Sequence, residues 1–522
     1  MTDRQSQPTP EDLPDMDATP DPLPELPDDN ADEADVQPDS GRPPSVATQL
    51  VELARDRYTL GVTTDSEAYA VPAGGGHVVM MLRDARASLR GELAREFFRE
   101  HHKAPSSSAL TDALAVLDGF AREEQPVDVY LRTAANNDVV YIDIGDVQGS
   151  VVRISGDGWS VIDNEVPVRF RRTRLTGELP VPARGGRLEE LWSILNIDET
   201  FQAPVLAYMV AAFIQPDAPH PVLTFFAEQG SGKSSATRRI VDILDPSPVP
   251  LRKPPRDLES WVVAASGSWV VALDNLSVMP DWFSDSLCRA CTGDGDVKRA
   301  LYTDASLAVV KFRRCVIANG IDVGALRGDL SERLLSVPLF PIPPEQRLRE
   351  QDIEDRWAAM RPAVFGALLD LCAATMKVLP TVEIAEAPRM ADFATLLAAV
   401  DRVMGTEGLK QYLHGAETAA EDSLSADPFI IRLREVVTEP FVGTANDLLA
   451  RVQPTRIGLP LQPPRGWPRM ARDVTRSLKR NAPALRSSGW AVTNDGGRNQ
   501  NSIFQWTIIP PTVEDVPGEA TP

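Results

Sequence analysis

The sequence of 522 residues has little lysine, few cysteines and no hydrophobic run long enough to span a membrane. Lysine supplies only 8 of the 53 basic residues, a bias typical of high-GC genomes. The four cysteines, Cys288, Cys291, Cys315 and Cys372, form neither a disulfide pattern nor a paired zinc motif, so we expect reduced thiols in the core. The longest apolar run, residues 203–214, is shorter than the roughly 20 residues of a transmembrane helix, and the polar, acidic start has no signal-peptide pattern. We therefore expect a cytoplasmic protein without membrane contact.

The acidic charge is unevenly distributed along the chain. The formal net charge is −22, and residues 1–44 supply half of it, with 13 acidic residues against Arg4 and Arg42. This segment also holds ten prolines and no aromatic residue, so it cannot bury a hydrophobic core. We predict disordered tails at residues 1–44 and 511–522, with the folded part between them.

Residues 222–244 indicate a buried strand, a glycine loop and a helix, in that order. The strand covers residues 222–226, and the helix begins at Lys233 and ends near Leu244, before Pro246. Between them lies Glu-Gln-Gly-Ser-Gly at residues 228–232. Such a loop lets successive backbone N–H groups point at phosphate oxygens, and the helix N-terminus adds partial positive charge. This arrangement predicts a nucleotide-binding P-loop in an α/β fold.

ATP and Mg²⁺ are the cofactors expected for such a loop. Lys233 would reach the β- and γ-phosphates, and the Ser234 hydroxyl would bind the metal ion. Ala227 replaces the first glycine of the usual motif, at a position that ends the strand. A glycine-rich turn without a ligand is the alternative. The residues expected around the phosphates are Glu228, Gln229, Gly230, Ser231, Gly232, Lys233, Ser234 and Ser235.

Two further apolar strands, predicted at residues 269–273 and 314–318, are each followed by a polar residue. Asp274 follows the first strand, where a carboxylate would order the water shell of Mg²⁺. Asn275 stands next, where most AAA+ ATPases have a glutamate that polarises the attacking water; either another carboxylate serves or hydrolysis is slow. Asn319 follows the second strand and would bond the γ-phosphate or the water. Arg333 is placed to reach the phosphate of a neighbouring subunit.

The segment between these two strands, residues 291–304, carries a family resemblance. Together with Asn319 and Arg333 it is similar to the superfamily 3 helicase ATPases of phages, plasmids and poxviruses, in particular the poxvirus-type primase–helicases, and to actinobacterial and phage ATP-binding relatives. The matching residues of the segment are Thr292, Gly293, Asp296, Arg299, Leu301 and Tyr302.

The resemblance covers residues 188–345 and implies an AAA+-like ATPase domain there. It also implies that residues 291–304 form a hairpin facing DNA, with Lys298 and Arg299 as DNA contacts. Ala227 and Asn275 depart from the pattern of the family, which bears on turnover more than on nucleotide binding. A P-loop protein of another class, with coincidental matches downstream, is the alternative.

Residues 45–185 are predicted as an accessory domain. Up to about residue 122 the apolar residues have helical spacing, whereas residues 127–171 alternate in the manner of short strands. Asp143 and Asp146, near a turn between strands, are candidates for the metal-binding carboxylates of a primase. Solvated residues at a strand end are the more common case for such a pair.

The C-terminal part reverses the sign of the charge. Residues 346–427 are predicted as a helical connector, and residues 428–510 as helices followed by a hairpin with a Gly-rich tip, which is the pattern of a winged helix. This last domain has 12 basic residues against five acidic ones. A basic face at helical spacing predicts contact with DNA phosphates, and an ordinary solvated helix is the alternative. The face consists of Arg469, Arg472, Arg476, Lys479 and Arg480.

These patterns predict a DNA-dependent ATPase of phage or mobile-element replication that acts as a ring-forming, hexameric helicase or as a helicase loader. The expected partners are single-stranded DNA, further copies of the chain, and a primase or another replication protein. The alternative is a regulatory or scaffold protein, for example in phage defence, that binds ATP with little turnover. Asn275 favours that alternative, and ATPase rates with and without single-stranded DNA distinguish the two.

Overall fold

The computed structural model describes most of the chain between residues 43 and 511. Most of the two predicted tails, namely residues 1–42 and residues 512–522, lie outside the described residues, as do Leu301 and Tyr302. The described ranges are 43–82, 88–293, 296–299, 307–310, 313–321, 328–385, 387–425, 427–453, 455–456, 459–460, 464, 467–496 and 504–511.

The N-terminal region combines three helices with two sheets. One sheet has five strands in the order β1-β2-β3-β9-β4, and the other is an antiparallel meander of four strands in the order β5-β6-β7-β8. Its elements are α1 (Val46–Arg57), β1 (Tyr58–Val62), β2 (Ala68–Pro72), β3 (Val78–Met81), α2 (Leu89–His101), α3 (Ser107–Ala121), β4 (Val129–Tyr130), β5 (Thr133–Asn136), β6 (Val139–Asp143), β7 (Val151–Ser155), β8 (Gly158–Ile162) and β9 (Arg169–Arg171).

The helical prediction for residues 45–122 is wrong in its middle part. Strands β1, β2 and β3 lie between α1 and α2, whereas α3 agrees with the predicted helix. The strands predicted at residues 127–171 are confirmed, and β5 is an additional one. Asp143 is not solvated: it is fully buried, and both of its carboxylate oxygens accept hydrogen bonds from Arg172, at 2.8 and 2.6 Å. This ion pair gives Asp143 a structural role.

The central region follows with a parallel sheet and its helices. Its elements are a 3-10 helix (Leu188–Ser193), α4 (Glu199–Ile214), β10 (Val222–Phe226), α5 (Lys233–Leu244), α6 (Leu258–Ser266), β11 (Val270–Leu276), α7 (Asp281–Thr292), β12 (Asp296–Arg299), β13 (Leu307–Val310), β14 (Cys315–Gly320), α8 (Gly328–Ser331), β15 (Leu334–Ser336), a 3-10 helix (Pro344–Gln346), α9 (Glu350–Val378), a 3-10 helix (Leu379–Thr381), α10 (Ala391–Met404) and α11 (Gly408–Ser425).

The four strands of the central sheet run parallel in the order β11-β14-β10-β15. Strand β14 therefore lies between β10, which precedes the glycine loop, and β11, which contains Asp274. All three carboxyl ends meet at one edge of the sheet, where ligands bind in open α/β sheets. The mixed α/β fold predicted from the sequence is confirmed, with a parallel sheet at its centre.

Helix α4 is buried along most of its length, because every residue from Ala203 to Ile214 is buried. Helices α9, α10 and α11 all pack against it. The residues predicted as a connector thus contribute to the main hydrophobic cluster, through Phe393, Leu397 and Tyr412 among others.

Helix α9 contacts both the central region and the meander sheet. Gly366 is required there, because a Cβ at this position would lie 1.8 Å from the Ala183 carbonyl oxygen. Within the described residues, one helical stretch, Glu350–Thr381, is long and apolar enough to cross a membrane by length and composition alone. Its most apolar window is 56% buried inside the protein, and a buried core helix meets the same criteria.

The C-terminal region contains a three-stranded antiparallel sheet in the order β16-β20-β19, with three helices. A single helix covers most of residues 470–488, with Pro483 inside it. The apolar face through Val474, Leu478 and Leu485 continues across the proline into one cluster. The elements are α12 (Pro428–Val436), β16 (Phe441–Thr444), α13 (Ala445–Val452), β17 (Thr455–Arg456), β18 (Leu459–Pro460), α14 (Ala471–Ser487), β19 (Ala491–Asn494) and β20 (Gln505–Ile509).

Candidate functional site

The glycine loop, residues 227–232, connects β10 to the first turn of α5. Gly230 and Gly232 have φ angles of +79° and +80°, a conformation that L-residues with a side chain rarely adopt. Gly232 is also the N-cap residue of α5, so the orphan N–H groups of that helix begin at the end of the loop. The two glycines allow the backbone to curl around the position that a phosphate would take at the helix N-terminus.

Side chains of the loop and of the first helical turn form a local hydrogen-bond network. The Ser231 hydroxyl and the Lys233 ammonium group both donate to the Glu228 carbonyl oxygen, each at 2.9 Å. Lys233 thus folds back over the loop, and its ammonium group can exchange this carbonyl for phosphate oxygens. The Ser235 hydroxyl is buried and has no hydrogen-bond partner among the described residues. Glu228 and Gln229 are exposed.

Ser234 and Asp274 meet across the edge of the sheet. The Ser234 hydroxyl donates to Asp274 Oδ1 at 2.8 Å, although the two residues are 40 positions apart. Magnesium is usually bound by one or two protein oxygens together with phosphate oxygens and water, and this pair offers that kind of ligand. In the described part of the chain, no cluster of three or more His, Cys, Asp or Glu residues could hold a metal by itself.

Asn319, at the end of the intervening strand β14, links the two sides of the site. It is fully buried, its Nδ2 donates to the Thr237 hydroxyl at 3.1 Å, and its Oδ1 accepts from the Asn275 N–H at 3.0 Å. The amide therefore joins α5, which carries Lys233 and Ser234, to the Asp274–Asn275 segment. The Asn319 side chain is thus hydrogen-bonded to both parts of the site.

Asn275 has a left-handed backbone, with φ of +59°. The pairing of β11 with β14 shifts register between Leu273 and Leu276, so a bulge lies at this residue. Asparagine tolerates the left-handed region better than glutamate does. The absence of the expected glutamate thus has a local cause in the backbone.

Three residues that the sequence interpretation missed also surround the loop. Asn196 donates through Nδ2 to the Ser231 carbonyl oxygen at 3.0 Å, and the Ile342 N–H donates to the Gly230 carbonyl oxygen at 3.0 Å. Arg347 lies close to the same glycine, with Nη2 3.3 Å from the position of a Cβ on Gly230. No local motif marks these residues, because they reach the loop from distant parts of the chain.

Arg333 does not face outward in this structure. It is buried, donates to the Asp329 carbonyl oxygen at 2.6 Å and forms an ion pair with Asp329 Oδ1 at 2.5 Å. Burial would raise the pKa of Asp329, but the hydrogen bond and charge of Arg333 outweigh it and hold that pKa below its usual value. Arg333 must leave this pair before it can contact the phosphate of another subunit.

Arg333 also lies 3.8 Å from the sulfur of Cys288. Burial raises the pKa of the Cys288 thiol to about 12, so the group is a neutral thiol at physiological pH. All four cysteines are free and buried, which confirms the expectation of reduced core thiols.

Lys298 and Arg299 lie on β12, which pairs with β13 as an antiparallel hairpin. A hairpin was expected at this place in the sequence. The pairing places Lys298 opposite Ala308 and Arg299 opposite Leu307. The hairpin follows α7 and precedes β14, and it is distant in sequence from the glycine loop.

The basic face of the C-terminal region is exposed on α14 and just before it. Arg469, Arg472 and Arg476 are exposed, whereas Val474 and Leu478 on the opposite side of the helix are buried. Lys479 lies over the ring of Phe504, at 4.7 Å, and Arg480 is paired with Asp427 at 2.9 Å. Arg472 also lies 3.9 Å from Asp473 Oδ1, so Arg469 and Arg476 are the best candidates for phosphate contacts and Arg472 is the next.

A separate cleft of about 600 Å³ lies away from the glycine loop. It is lined by residues of the β1–β2 turn, such as Thr63, by Asp128 and Tyr130, and by Trp269 and Arg313 near the amino ends of β11 and β14. None of the predicted site residues lines it. The predicted nucleotide site and this cleft are at different ends of the central sheet.

Comparison with family models gives the identity of the chain at the family level. Residues 188–423 match the model described as the actinomycete integrative conjugative element replication protein, AICE RepA, and residues 429–512 match the AICE RepA C-terminal domain. The chain belongs to this replication protein family. The expected place in replication is thereby confirmed, and the first RepA match runs without a break through the region predicted as ATPase and connector.

Two solved structures are similar to this RepA family member over most of its length. One is described as SCCmec type IV Cch, an active helicase; it is 13% identical, with 87% of this chain and 93% of that chain covered and a TM-score of 0.42. Another is the C-terminal region of NrS-1 in its apo form, 10% identical, with 90% and 100% covered and a TM-score of 0.37. Comparison with curated proteins finds no match.

Proposed function

We propose that this RepA family member binds ATP and Mg²⁺ at the glycine loop and hydrolyses ATP during replication of a mobile element. The observation that carries the proposal is the meeting of three groups at the carboxyl edge of the sheet: Lys233, the Ser234–Asp274 pair at 2.8 Å, and Asn319 between them. Lys233 would neutralise phosphate charge, and Ser234 with Asp274 would hold the ion that bridges phosphate oxygens. This arrangement supports a P-loop core of the AAA+ and superfamily 3 type.

We further propose that DNA is the partner that this hydrolysis serves. The C-terminal order α12, β16, α13, the short β17–β18 pair, α14, β19 and β20, with β16 completing the sheet, supports a winged helix with α14 exposed on its basic side. The β12–β13 hairpin would supply a second DNA contact through Lys298 and Arg299. Single-stranded DNA is the favoured substrate, with the protein acting as a helicase or a helicase loader.

The proposed assembly is a homo-oligomeric ring, such as a hexamer, in which ATP lies between subunits. Arg333 would serve the neighbouring site in the manner of an arginine finger, which stabilises the transferred charge. Opening of the Arg333–Asp329 pair is a necessary step in this scheme. A primase or another replication protein would act beside the ring.

The first test is nucleotide binding by a Lys233→Ala variant. Removing the ammonium group should weaken ATP binding roughly 100-fold or more, because charge-assisted contacts to phosphate are lost. Isothermal titration calorimetry with Mg·ATP measures the affinity, and circular dichroism shows whether the fold is retained. The wild-type core should not need Lys233, since its ammonium group contacts only a loop carbonyl oxygen.

The matched control is Lys410→Ala on α11. Lys410 is 84% exposed and lies 3.8 Å from Glu407, so its loss removes one lysine without touching the loop. Wild type and the control should bind ATP equally. Equal affinity of the Lys233→Ala variant would overturn the assignment of the nucleotide site.

The second candidate function is an ATP-dependent regulatory or scaffold protein with little turnover. Asn275 favours it, because neither its amide nor its left-handed backbone provides a general base beside Asp274. Steady-state ATPase rates with and without single-stranded DNA separate the two functions. Stimulation by DNA supports the motor, whereas tight ATP binding with negligible hydrolysis in both conditions supports the scaffold.

A further inference from the structure

Residues 340–347, which follow β15 and are called the segment below, lie across the glycine loop and are connected to it by hydrogen bonds. The Ile342 N–H donates to the Gly230 carbonyl oxygen at 3.0 Å, and Asn196 donates through Nδ2 to the carbonyl oxygens of both Ser231 and Phe340, at 3.0 and 2.6 Å. Contact is close, because a Cβ on Gly232 would lie 3.2 Å from Ile342 Cδ1. The segment therefore forms one wall of the site.

Arg347 is the last residue of this segment, and its guanidinium group is oriented by a hydrogen bond within the segment. Its Nε donates to the Ile342 carbonyl oxygen at 3.1 Å, and Nη2 lies 3.3 Å from the place of a Cβ on Gly230. Within the described part of the chain, neither Nη atom of Arg347 has a hydrogen-bond or acidic partner. A positive group with four free N–H donors thus stands at the curve of the loop.

The neighbouring arginines differ from Arg347 in this respect. Arg349 is paired with Asp352 at 3.0 Å, Arg238 with Glu350 at 3.1 Å, and Arg239 with Glu354 at 2.7 Å. Each of these charges is already balanced by a carboxylate of the same surface. Among the described residues, Arg347 has no carboxylate partner of this kind, so its charge is available to a ligand.

We infer that Arg347 is a nucleotide-binding residue that contacts the polyphosphate of ATP from the same subunit, in addition to Lys233. The inference rests on the proposed function, because it assigns a further residue to that nucleotide site. A guanidinium group matches two phosphate oxygens at once, which an ammonium group cannot do. Lys233 and Arg347 would then both contact the polyphosphate, while Asn196 positions the loop through the Ser231 carbonyl oxygen.

The test compares Mg·ATP binding by calorimetry for wild type, Arg347→Ala, Arg347→Lys and the control Arg349→Ala. Arg349 is 86% exposed and already paired, so the control removes the same charge two residues beyond the segment. We expect about a tenfold or greater loss for Arg347→Ala, an intermediate loss for Arg347→Lys, and no more than about a twofold change for the control. Inorganic pyrophosphate should displace ATP less well from the alanine variant, as a phosphate contact requires.

The outcomes separate this inference from the proposed function. If Lys233→Ala loses ATP while Arg347→Ala binds it as tightly as Arg349→Ala does, the role of Arg347 is overturned and the nucleotide site stands. If wild type binds no ATP, both are overturned. Unchanged competition by pyrophosphate, with weaker ATP binding, would place Arg347 against the nucleoside and also overturn the inference.

Discussion

At the scale of single residues, Asn275 illustrates how a backbone conformation selects a side chain next to a candidate site. Its φ of +59° lies in the left-handed region, which costs an ordinary L-residue about 1–2 kcal/mol and asparagine less. Its N–H donates to Asn319 Oδ1 at the end of the neighbouring strand β14, and this hydrogen bond stabilises the conformation at the bulge. The residue that departs from the family pattern is therefore the one that the local backbone favours.

This conformation gives a prediction about stability. Asn275→Glu should lower the free energy of unfolding by about 1 kcal/mol, because glutamate adopts a positive φ less readily. The side chain is exposed, so crowding does not contribute. Asn275→Gly is the matched control and should change stability by less than about 0.5 kcal/mol. Denaturant unfolding measures both, and equal stability of the two variants would contradict the argument.

Among the residues near the glycine loop, those marked by a local sequence pattern could be predicted and those without such a pattern could not. Lys233 and Ser234 follow a glycine loop, and Asp274 and Asn319 each stand at the end of an apolar run, so pattern and position reveal them. Asn196, Ile342 and Arg347 have no such pattern. They become visible only as hydrogen bonds and close contacts to Gly230 and Ser231.

At the scale of elements, segments with a clear apolar pattern were predicted well, whereas strands β1 to β3 and β16 were not. Strand β10 and helix α5 begin and end where the sequence placed them, since the strand consists of apolar and β-favouring residues and Pro246 limits the helix. Strands β1 to β3 have four or five residues each, and β2 is buried over four consecutive residues rather than alternately. Strand β16 has four residues and becomes recognisable through its pairing with β20.

Arg333 lies in the chain between helix α8 and strand β15 and connects neighbouring elements. Its side chain contacts Asp329 near the end of α8 and Cys288 on α7, while its carbonyl oxygen accepts from the Val222 N–H at 2.9 Å. We expect Arg333→Ala to lower the free energy of unfolding by about 1–3 kcal/mol, because a buried, hydrogen-bonded side chain is removed. Thermal and denaturant unfolding measure this loss.

The same variant tests the arginine-finger proposal. If Arg333 also acts between subunits, mixing Arg333→Ala with Lys233→Ala protein should restore part of the ATPase, since some interfaces then combine an intact lysine with an intact arginine. Asp329→Ala is the control for the ion pair alone. No change in stability would refute the structural role, and no rescue at any ratio would refute the finger.

At the scale of the whole molecule, the regions are joined more tightly than their sequence boundaries indicate. Arg132, fully buried between β4 and β5, donates through Nε to Asp245 Oδ1 at 2.9 Å, just beyond α5. The other oxygen of Asp245 accepts from the N–H groups of Trp269 and Val270 at the start of β11. A buried ion pair thus connects the accessory sheets to the two central elements that carry Lys233 and Asp274.

The C-terminal region is connected in a similar way. Helix α14 packs against α11 and against α8, the element that holds Asp329. Its basic face points away from these contacts, because Arg469, Arg472 and Arg476 are exposed. Sequence periodicity predicted the basic face, but it did not reveal that the same helix contacts α8. The contact joins α14 to the helix whose Asp329 is paired with Arg333.

The last prediction concerns DNA binding by the full chain. Each phosphate contact releases counterions, so the logarithm of affinity falls with the logarithm of salt concentration with a slope of about −0.7 to −0.9 per contact. Replacing Arg469, Arg472 and Arg476 together by alanine should reduce the slope by about two to three units. DNA stimulation of the ATPase should then require more DNA and reach the same maximum, since the nucleotide site is intact.

The matched control replaces three exposed arginines that are paired with carboxylates elsewhere, namely Arg95, Arg187 and Arg349. It removes the same net charge from the protein, so any general electrostatic effect on DNA binding appears in both variants. Fluorescence anisotropy with labelled single-stranded DNA between about 50 and 200 mM salt covers the range in which such slopes are resolved. Equal slopes for the two variants would show that the α14 face is not a DNA contact. An acidic protein surface would then be the more suitable partner for this face, because carboxylates pair with exposed guanidinium groups as phosphates do.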